Sequence, residues 1–371
     1  MEPFKFGCIV DGGHYCARPE LESQLRRYVA AGQNVVLQGE RRMGKSSLVV
    51  NVVRDMRGTG LLYVDLLGIS TPADFCRRVV DGIVELDKSR SFLRKTATLL
   101  ASLRPLVVLD RDTGLPTISI DARSAAGPEG VGAVMSMIAS HAKERRICAI
   151  FDEFQDILDL PDARQTLSEM RSRVQFMPKT PFVFLGSVRN RMAEIFSHPS
   201  SPFFKSALEI GVGAIETDAF AGFLRDRFIA ADRLVDKAFL AGICESLGGI
   251  PGDVQELCDA LWSVTKSGDN VDAGNLDDAY GYVFAHEGGS YETYWKSFSP
   301  HQKRVLRALA VCGGKHVASS TFFEACGIYN ASSVKKALTR LETIGHAYLF
   351  RGEWKFVNPF FREWVRRKFP E

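Results

Sequence analysis

The segment Gly39-Glu40-Arg41-Arg42-Met43-Gly44-Lys45-Ser46 has the spacing G-x4-G-K-[ST] and narrows the possible folds more than any other stretch of the chain. Such a loop works only between a strand and a helix. Its glycines let the backbone wind around a polyphosphate with N–H groups pointing inward, and the helix that follows adds its positive N-terminal end. The flanks meet that demand. An apolar run over 35–37 leads in, and a helix over 47–56, opening near Lys45, leads out. Lys45 is then placed to reach the β- and γ-phosphates of ATP, and the Ser46 hydroxyl to ligate Mg²⁺. Gly39, Glu40, Arg41, Arg42, Met43, Gly44 and Ser47 complete the expected nucleotide cradle. The bland alternative is a glycine turn with an incidental lysine.

A second feature belongs with the first. The apolar run ICAIFD over 147–152 reads as a strand ending in Asp152-Glu153, about 110 residues after the loop. In P-loop enzymes a carboxylate at this place holds Mg²⁺ through water, and the next acid polarises the attacking water. Asp152 is thus the expected metal partner and Glu153 the expected base. The competing reading is an acid pair that caps the next helix.

Between and around these motifs, strands alternate with helices. Helical spacing marks 18–31, 71–86, 131–145 and 161–176, and apolar strands mark 61–66 and 181–187. The stretch 106–120 reads as two strands around a turn, followed by a Gly/Pro/Ser-rich loop. Alternation of this kind means a parallel sheet. From Thr217 helices dominate, with a break at SLGGIPGD over 246–253. From Ser299 a third pattern begins. The expectation is an α/β P-loop NTPase domain over 1–216, a parallel sheet flanked by helices. An all-helical lid over 217–290 and a winged helix-turn-helix over 291–371 follow it.

The winged helix is read from helices at 300–311, 319–326 and 332–343 and a hairpin, AYLF-RGE-WKFV. Val305, Leu306 and Leu309 form one inner face, and Val334, Leu338 and Leu341 another, with Ser332 or Ser333 as the cap of the third helix. That helix would enter the major groove of duplex DNA, with Lys335, Lys336 and Arg340 meeting phosphates or bases and Arg351 at the wing tip. Charge supports this. The net charge is +3, yet residues 301–371 carry 13 Lys+Arg against 5 Asp+Glu. A basic end of +8 is therefore attached to a body of −5. Winged helices also dock proteins, so a protein partner or a second copy of the chain stays open.

The N-terminus lacks the basic start and apolar run of a signal peptide, and no apolar run reaches membrane length. The eight cysteines form no CxxC pair, and Cys8, His14 and Cys16 make only a poor candidate metal trio. A reduced, cytoplasmic protein with structural thiols, not associated with membrane, is expected.

In six ordered segments the chain resembles the archaeal-type ATPases of the STAND group within the AAA+ P-loop superfamily. These are Arg18-Pro19-Glu20-Leu21, the paired Arg41-Arg42 of a GxRRxGK[ST]S loop and Phe151-Asp152-Glu153-Phe154-Gln155. The others are Leu185-Gly186-Ser187 with Arg189 and Met192, Ile195-Phe196 with Pro202-Phe203-Phe204, and Gly248-Gly249-Ile250-Pro251. Lys205 departs from the pattern, standing where a small residue is usual. The resemblance implies that Ser187 or, by preference, Arg189 senses the γ-phosphate. It also implies that Pro251 approaches the adenine and that residues near Arg18, with Tyr15 as a stacking partner, border the base. Arg41 and Arg42 would touch phosphate or a neighbouring subunit, or remain solvated. The function so read is an ATP-binding protein with Mg²⁺-dependent hydrolysis whose nucleotide state switches the winged helix. The alternatives are a nucleotide-gated DNA-binding regulator or initiator/loader with little hydrolysis, and a signalling scaffold.

Overall fold

The computed structural model describes residues 2–86, 105–109, 116–120, 127–187, 189–350 and 352–370; for 105–109, 116–120, 128, 189 and 190 it describes the backbone alone. The chain divides into two compact units, Gly7–Ile215 and a second made of Met1–Phe6 with Glu216–Glu371.

In the first unit, α1 (Pro19–Ala30), β1 (Val35–Gln38), α2 (Lys45–Arg54), β2 (Gly60–Asp65) and α3 (Pro72–Leu86) lead to an antiparallel pair, β3 (Pro105–Leu109) with β4 (Pro116–Ile120). Then come α4 (Pro128–Glu144), β5 (Ile147–Asp152), a 3-10 turn (Phe154–Asp159), α5 (Ala163–Val174), β6 (Phe182–Gly186), α6 (Arg189–Phe196) and β7 (Leu208–Gly211). The two strands expected in 106–120 are thus present, while their turn and the loop over 121–126 lie outside the described residues. The main sheet has the order β2-β5-β6-β1-β7, with every pairing parallel. Every residue of β5 and β6 is buried, as a parallel sheet covered on both faces requires, and this explains why both read as unbroken apolar runs. Their aromatic rings pack with those of neighbouring segments: Phe154 lies 4.5 Å from Phe184, and Phe151 stacks near Phe75 and Phe182. The register pairs Asp65 with Asp152 and Gln38 with Gly186 and Gly211, which brings the carboxyl ends of the strands together. Open α/β sheets place their ligands outside such an edge.

The helix expected over 161–176 is divided from the acidic strand by the 3-10 turn. Leu160 stays extended (φ −69°, ψ 142°) because the ring of Pro161 disfavours helical backbone before it. Helix α3 buries Phe75, Cys76, Val79, Val80 and Ile83 against the sheet. It approaches closely at Gly82, where a Cβ would lie 2.5 Å from the Tyr63 carbonyl oxygen.

In the second unit, α7 (Thr217–Ala230), α8 (Lys237–Ser246) and α9 (Pro251–Val264) are joined by a short parallel pair, β8 (Leu234–Val235) with β9 (Asn270–Val271). That pair was not legible in the sequence. The break between α8 and α9 is made by Gly248 and Gly249, both left-handed (φ 66° and 65°), with Pro251 opening α9. Phe4, from the N-terminal arm, is buried 4.8 Å from the Phe228 ring. Helix α10 (Leu276–Ser297) is continuous through residue 291, where the winged helix was expected to start. Tyr291 is buried against Phe361 and Trp364, and its phenol donates to Glu287. Helices α11 (Pro300–Cys312), α12 (Ser320–Cys326) and α13 (Ala331–Thr343) follow, then the hairpin β10 (Ala347–Phe350) with β11 (Glu353–Phe356), and α14 (Pro359–Lys368). The inner-face residues Val305, Leu306, Leu309, Val334, Leu338 and Leu341 are all buried. The cap of α13 is Asn330 rather than Ser332 or Ser333: its side chain accepts from the backbone N–H groups of both serines.

Because the Tyr63 carbonyl is fixed in the sheet, Gly82→Ala is expected to destabilise the protein by about 1–3 kcal/mol through overpacking. Urea denaturation measures this; an unchanged midpoint would show that α3 can shift to admit the methyl group.

Candidate nucleotide-binding site

The loop between β1 and α2 is built as its sequence demands. Gly44 is the N-cap of α2 with a left-handed backbone (φ 75°), and a Cβ there would meet nothing within 4 Å, so glycine answers a purely conformational need. Arg42 is also left-handed (φ 63°) and exposed, as is the Arg41 side chain. Lys45 is buried, and its Nζ donates to the carbonyl oxygens of Gly39 (3.1 Å) and Glu40 (2.9 Å). Burial pulls its pKa below the usual lysine value, while the charges of Glu153 and Asp152 favour the ammonium form.

Gly39 is needed for packing. A Cβ there would lie 2.5 Å from the Val212 carbonyl oxygen, just past β7. Arg18 fastens the same junction: one guanidinium nitrogen donates to Gly213 O and another to Met43 O, both at 2.7 Å. Arg18 is buried, and burial lowers its pKa from the usual value. Tyr15 donates to Glu22 (2.9 Å), and the Ser47 hydroxyl accepts from Val10 N–H (3.1 Å). The residues near Arg18 and the Ser47 side chain therefore brace the loop.

The acidic strand end lies beside the loop. Ser46 Oγ and the Tyr63 phenol both donate to Oδ2 of Asp152, whose Oδ1 accepts from Glu153 N–H (2.9 Å). Burial first, then the charge of Asp152, pushes the Tyr63 phenol well above its usual pKa. A hydroxyl and a carboxylate side by side are the hard oxygen donors that Mg²⁺ takes with waters, so Ser46 and Asp152 fit that ion. Glu153 has a left-handed backbone (φ 48°), and its side chain caps no helix N–H. The helix-capping alternative therefore fails for Glu153. A non-glycine residue held there costs about 1–3 kcal/mol, a strain that clusters at functional sites. Its Oε2 accepts from Ser187 Oγ (3.0 Å) and Gln155 Nε2 (2.5 Å). Ser187, the less favoured sensor of the two, thus touches the expected base from β6, between β5 and β1. The Arg189 side chain lies outside the described residues.

Lys45, Ser46, Asp152, Glu153 and Ser187 are brought together; Pro251 belongs to the other compact unit, as the buried first residue of α9. Lys205 takes a left-handed φ of 50°, which glycine alone adopts without a Cβ penalty, with its ammonium over the Phe204 ring. Tyr63 and the Arg18 bridge to Gly213 were missed in the sequence; the one available signal was a phenol inside the otherwise apolar run LLYV. Among the described residues no group of His, Cys, Asp or Glu is arranged to hold a metal as a cluster, so Cys8, His14 and Cys16 form no such site.

On α13, Lys335, Lys336 and Arg340 are exposed and make no ion pair among the described residues, whereas Arg351 lies outside them. Three basic residues of α14 are partnered: Arg366 with Glu363, Arg367 with Glu363 and Asp277, and Lys368 with Glu292. No helix among the described residues is long and apolar enough to cross a membrane.

Fold and loop together define the class: a P-loop ATPase fold followed by a winged helix. Residues 289–367 match the family described as a probable winged helix domain. A search of curated proteins finds no match. Among solved structures, a Walker-type ATPase of Pyrococcus abyssi superposes with a TM-score of 0.61 at 16% identity, covering 95% of this chain and 96% of that one. The ORC2 protein of Aeropyrum pernix, solved as ADPNP–ADP complexes, superposes with a TM-score of 0.55 at 12% identity, covering 96% of each chain. Identities this low establish a shared fold and nothing finer.

Removing one of the two side-chain donors to Asp152 loosens the carboxylate. Tyr63→Phe is expected to raise the Mg²⁺ concentration that half-saturates nucleotide binding by roughly 10-fold, the lower end for partners of a metal ligand. A Mg²⁺ titration with a fluorescent ATP analogue checks it; an unmoved midpoint would mean that Ser46 alone orients Asp152.

Proposed function

We propose that this protein binds ATP with Mg²⁺, hydrolyses it, and uses its nucleotide state to control the winged helix. The observation that carries the reading is the convergence of Lys45, Ser46, Asp152 and Glu153 at the carboxyl edge of the sheet, where Ser46 and Asp152 share a hydrogen bond. The P-loop N–H groups and Lys45 bind the phosphates, and Lys45 exchanges its loop carbonyls for phosphate oxygens. Mg²⁺, held by Ser46 and by Asp152 through water, supplies positive charge against the phosphate oxygens. Glu153 orients water in line with the γ-phosphorus and takes its proton, while ADP leaves with the electron pair of the broken bond. The division into an engine over 1–216, a lid over 217–290 and a winged helix over 291–371 belongs to this reading, with Pro251 at the adenine and Arg189 as γ-phosphate sensor. Cytoplasmic residence belongs to it as well.

For the winged helix, the exposed and unpaired Lys335, Lys336 and Arg340 favour duplex DNA over a protein partner. The fold shared with an ORC2 protein keeps an initiator-like role with little turnover as the second reading.

Glu153→Gln is expected to lower turnover by about 100-fold or more while ATP binding is kept. Surviving turnover would overturn the assignment of the base. Replacing Lys335 and Lys336 by alanine is expected to weaken duplex binding and to reduce the slope of log K against log salt by about 2, one per lost phosphate contact. Binding measured by fluorescence anisotropy at several salt concentrations decides it. An unchanged slope would move the DNA contact elsewhere, and salt-insensitive binding would remove DNA as the partner.

A further inference from the structure

We infer that Gln155 is the positioning residue for Glu153: it fixes one oxygen of that carboxylate and leaves the other to receive the proton of the attacking water. The inference rests on the reading of Glu153 as base and adds to it a residue with no phosphate-binding, metal-binding or sensing role.

Gln155 lies in the 3-10 turn two residues after Glu153 and is 1% exposed. Its Nε2 donates to Glu153 Oε2 at 2.5 Å and to Asp156 Oδ1 at 3.1 Å. Asp156 is itself anchored, since its other oxygen accepts from Gly68 N–H at 2.9 Å. The Gln155 Oε1, in contrast, is buried and has no hydrogen-bond partner among the described residues. A buried amide left half-satisfied is a cost to folding, and an apolar side chain of the same length would avoid it. The amide is therefore explained by what its nitrogen does. Gly186 at the end of β6 leaves room for Met192 and for this amide: a Cβ there would run into Met192 Sδ and lie 2.8 Å from that Oε1.

The consequence for Glu153 is asymmetric. Both donors, Gln155 and Ser187, act on Oε2, and Oε1 accepts no hydrogen bond among the described residues. In the reaction the water oxygen bonds to the γ-phosphorus, and the bond from phosphorus to the bridging oxygen breaks with its electron pair on ADP. The water proton passes to Oε1. Holding Oε2 fixes the direction in which Oε1 points, and small errors in such an angle cost up to about 100-fold in rate.

The experiment uses the full chain with Gln155→Met, which keeps length and volume and removes the donor. Steady-state hydrolysis is read beside equilibrium binding of ADP, of ATPγS and of ADP with aluminium fluoride and Mg²⁺, the last a mimic of the transferring phosphoryl group. The expected result is a kcat lowered about 10- to 100-fold with KM nearly constant, and binding weakened for ADP–aluminium fluoride alone. Unchanged kcat overturns the inference, as does equal weakening of all three nucleotides, which marks Gln155 as packing only. If Gln155→Met does not fold, Gln155→Leu, which also removes the donor and leaves no polar atom in the buried site, is read by the same criteria. Glu153→Gln separates the two levels: an active Glu153→Gln protein removes the base and this inference together, whereas an inactive one beside an active Gln155→Met protein removes the inference alone.

Discussion

The hydrogen bond from Ser46 to Asp152 joins residues 106 positions apart, and the arrangement of the first unit serves it. Ser46 is carried by the first turn of α2, Asp152 by the last residue of β5, and one strand, β6, separates β5 from β1. The parallel register sets their common height. Ring packing among Phe75, Phe151, Phe154, Phe182 and Phe184 keeps the strands from sliding. A shift of one residue in β5 would turn Asp152 to the opposite face.

Around this contact the polar groups are held from outside the loop. Tyr63 reaches Asp152 from β2, Ser187 reaches Glu153 from the end of β6, and Gln155 reaches the same oxygen from the turn between them. Arg18 does for the backbone what these residues do for the carboxylates, by tying Met43 to Gly213. Preorganisation of this kind lets a site act electrostatically without spending free energy on rearrangement at the moment of reaction.

Much of this was legible in the sequence because the motifs are local. A glycine loop and a buried strand ending in acids each fit within about ten residues, and the run of helices with its hairpin is one continuous stretch from Pro300 to Phe356. The residues that were not legible act across distance. Tyr63 meets Asp152 only because β2 and β5 are neighbours, which spacing along the chain does not reveal. The hydrogen bonds of Arg18 to Met43 and Gly213 were not legible either, because their acceptors are backbone carbonyls that any residue can supply. The cap of α13 went to Asn330, since the serines after it are already helical. The charge asymmetry was real as arithmetic. Glu292 and Asp277, both outside 301–371, pair with Lys368 and Arg367 and offset part of it, while Lys335, Lys336 and Arg340 of α13 stay exposed.

The N-terminal arm makes the second unit discontinuous in sequence: the chain begins there, leaves at residue 7 to build the whole sheet, and returns at residue 216. Phe4 is 2% exposed and packs on Phe228 of α7. A fragment cut at 216 would lose this ring and keep an opened hydrophobic pocket in its place. During synthesis from the N-terminus, the arm is made long before its partner helix and waits through more than two hundred residues for it. The helical unit is thus completed by residues that precede the whole sheet in sequence, and its core draws on both stretches.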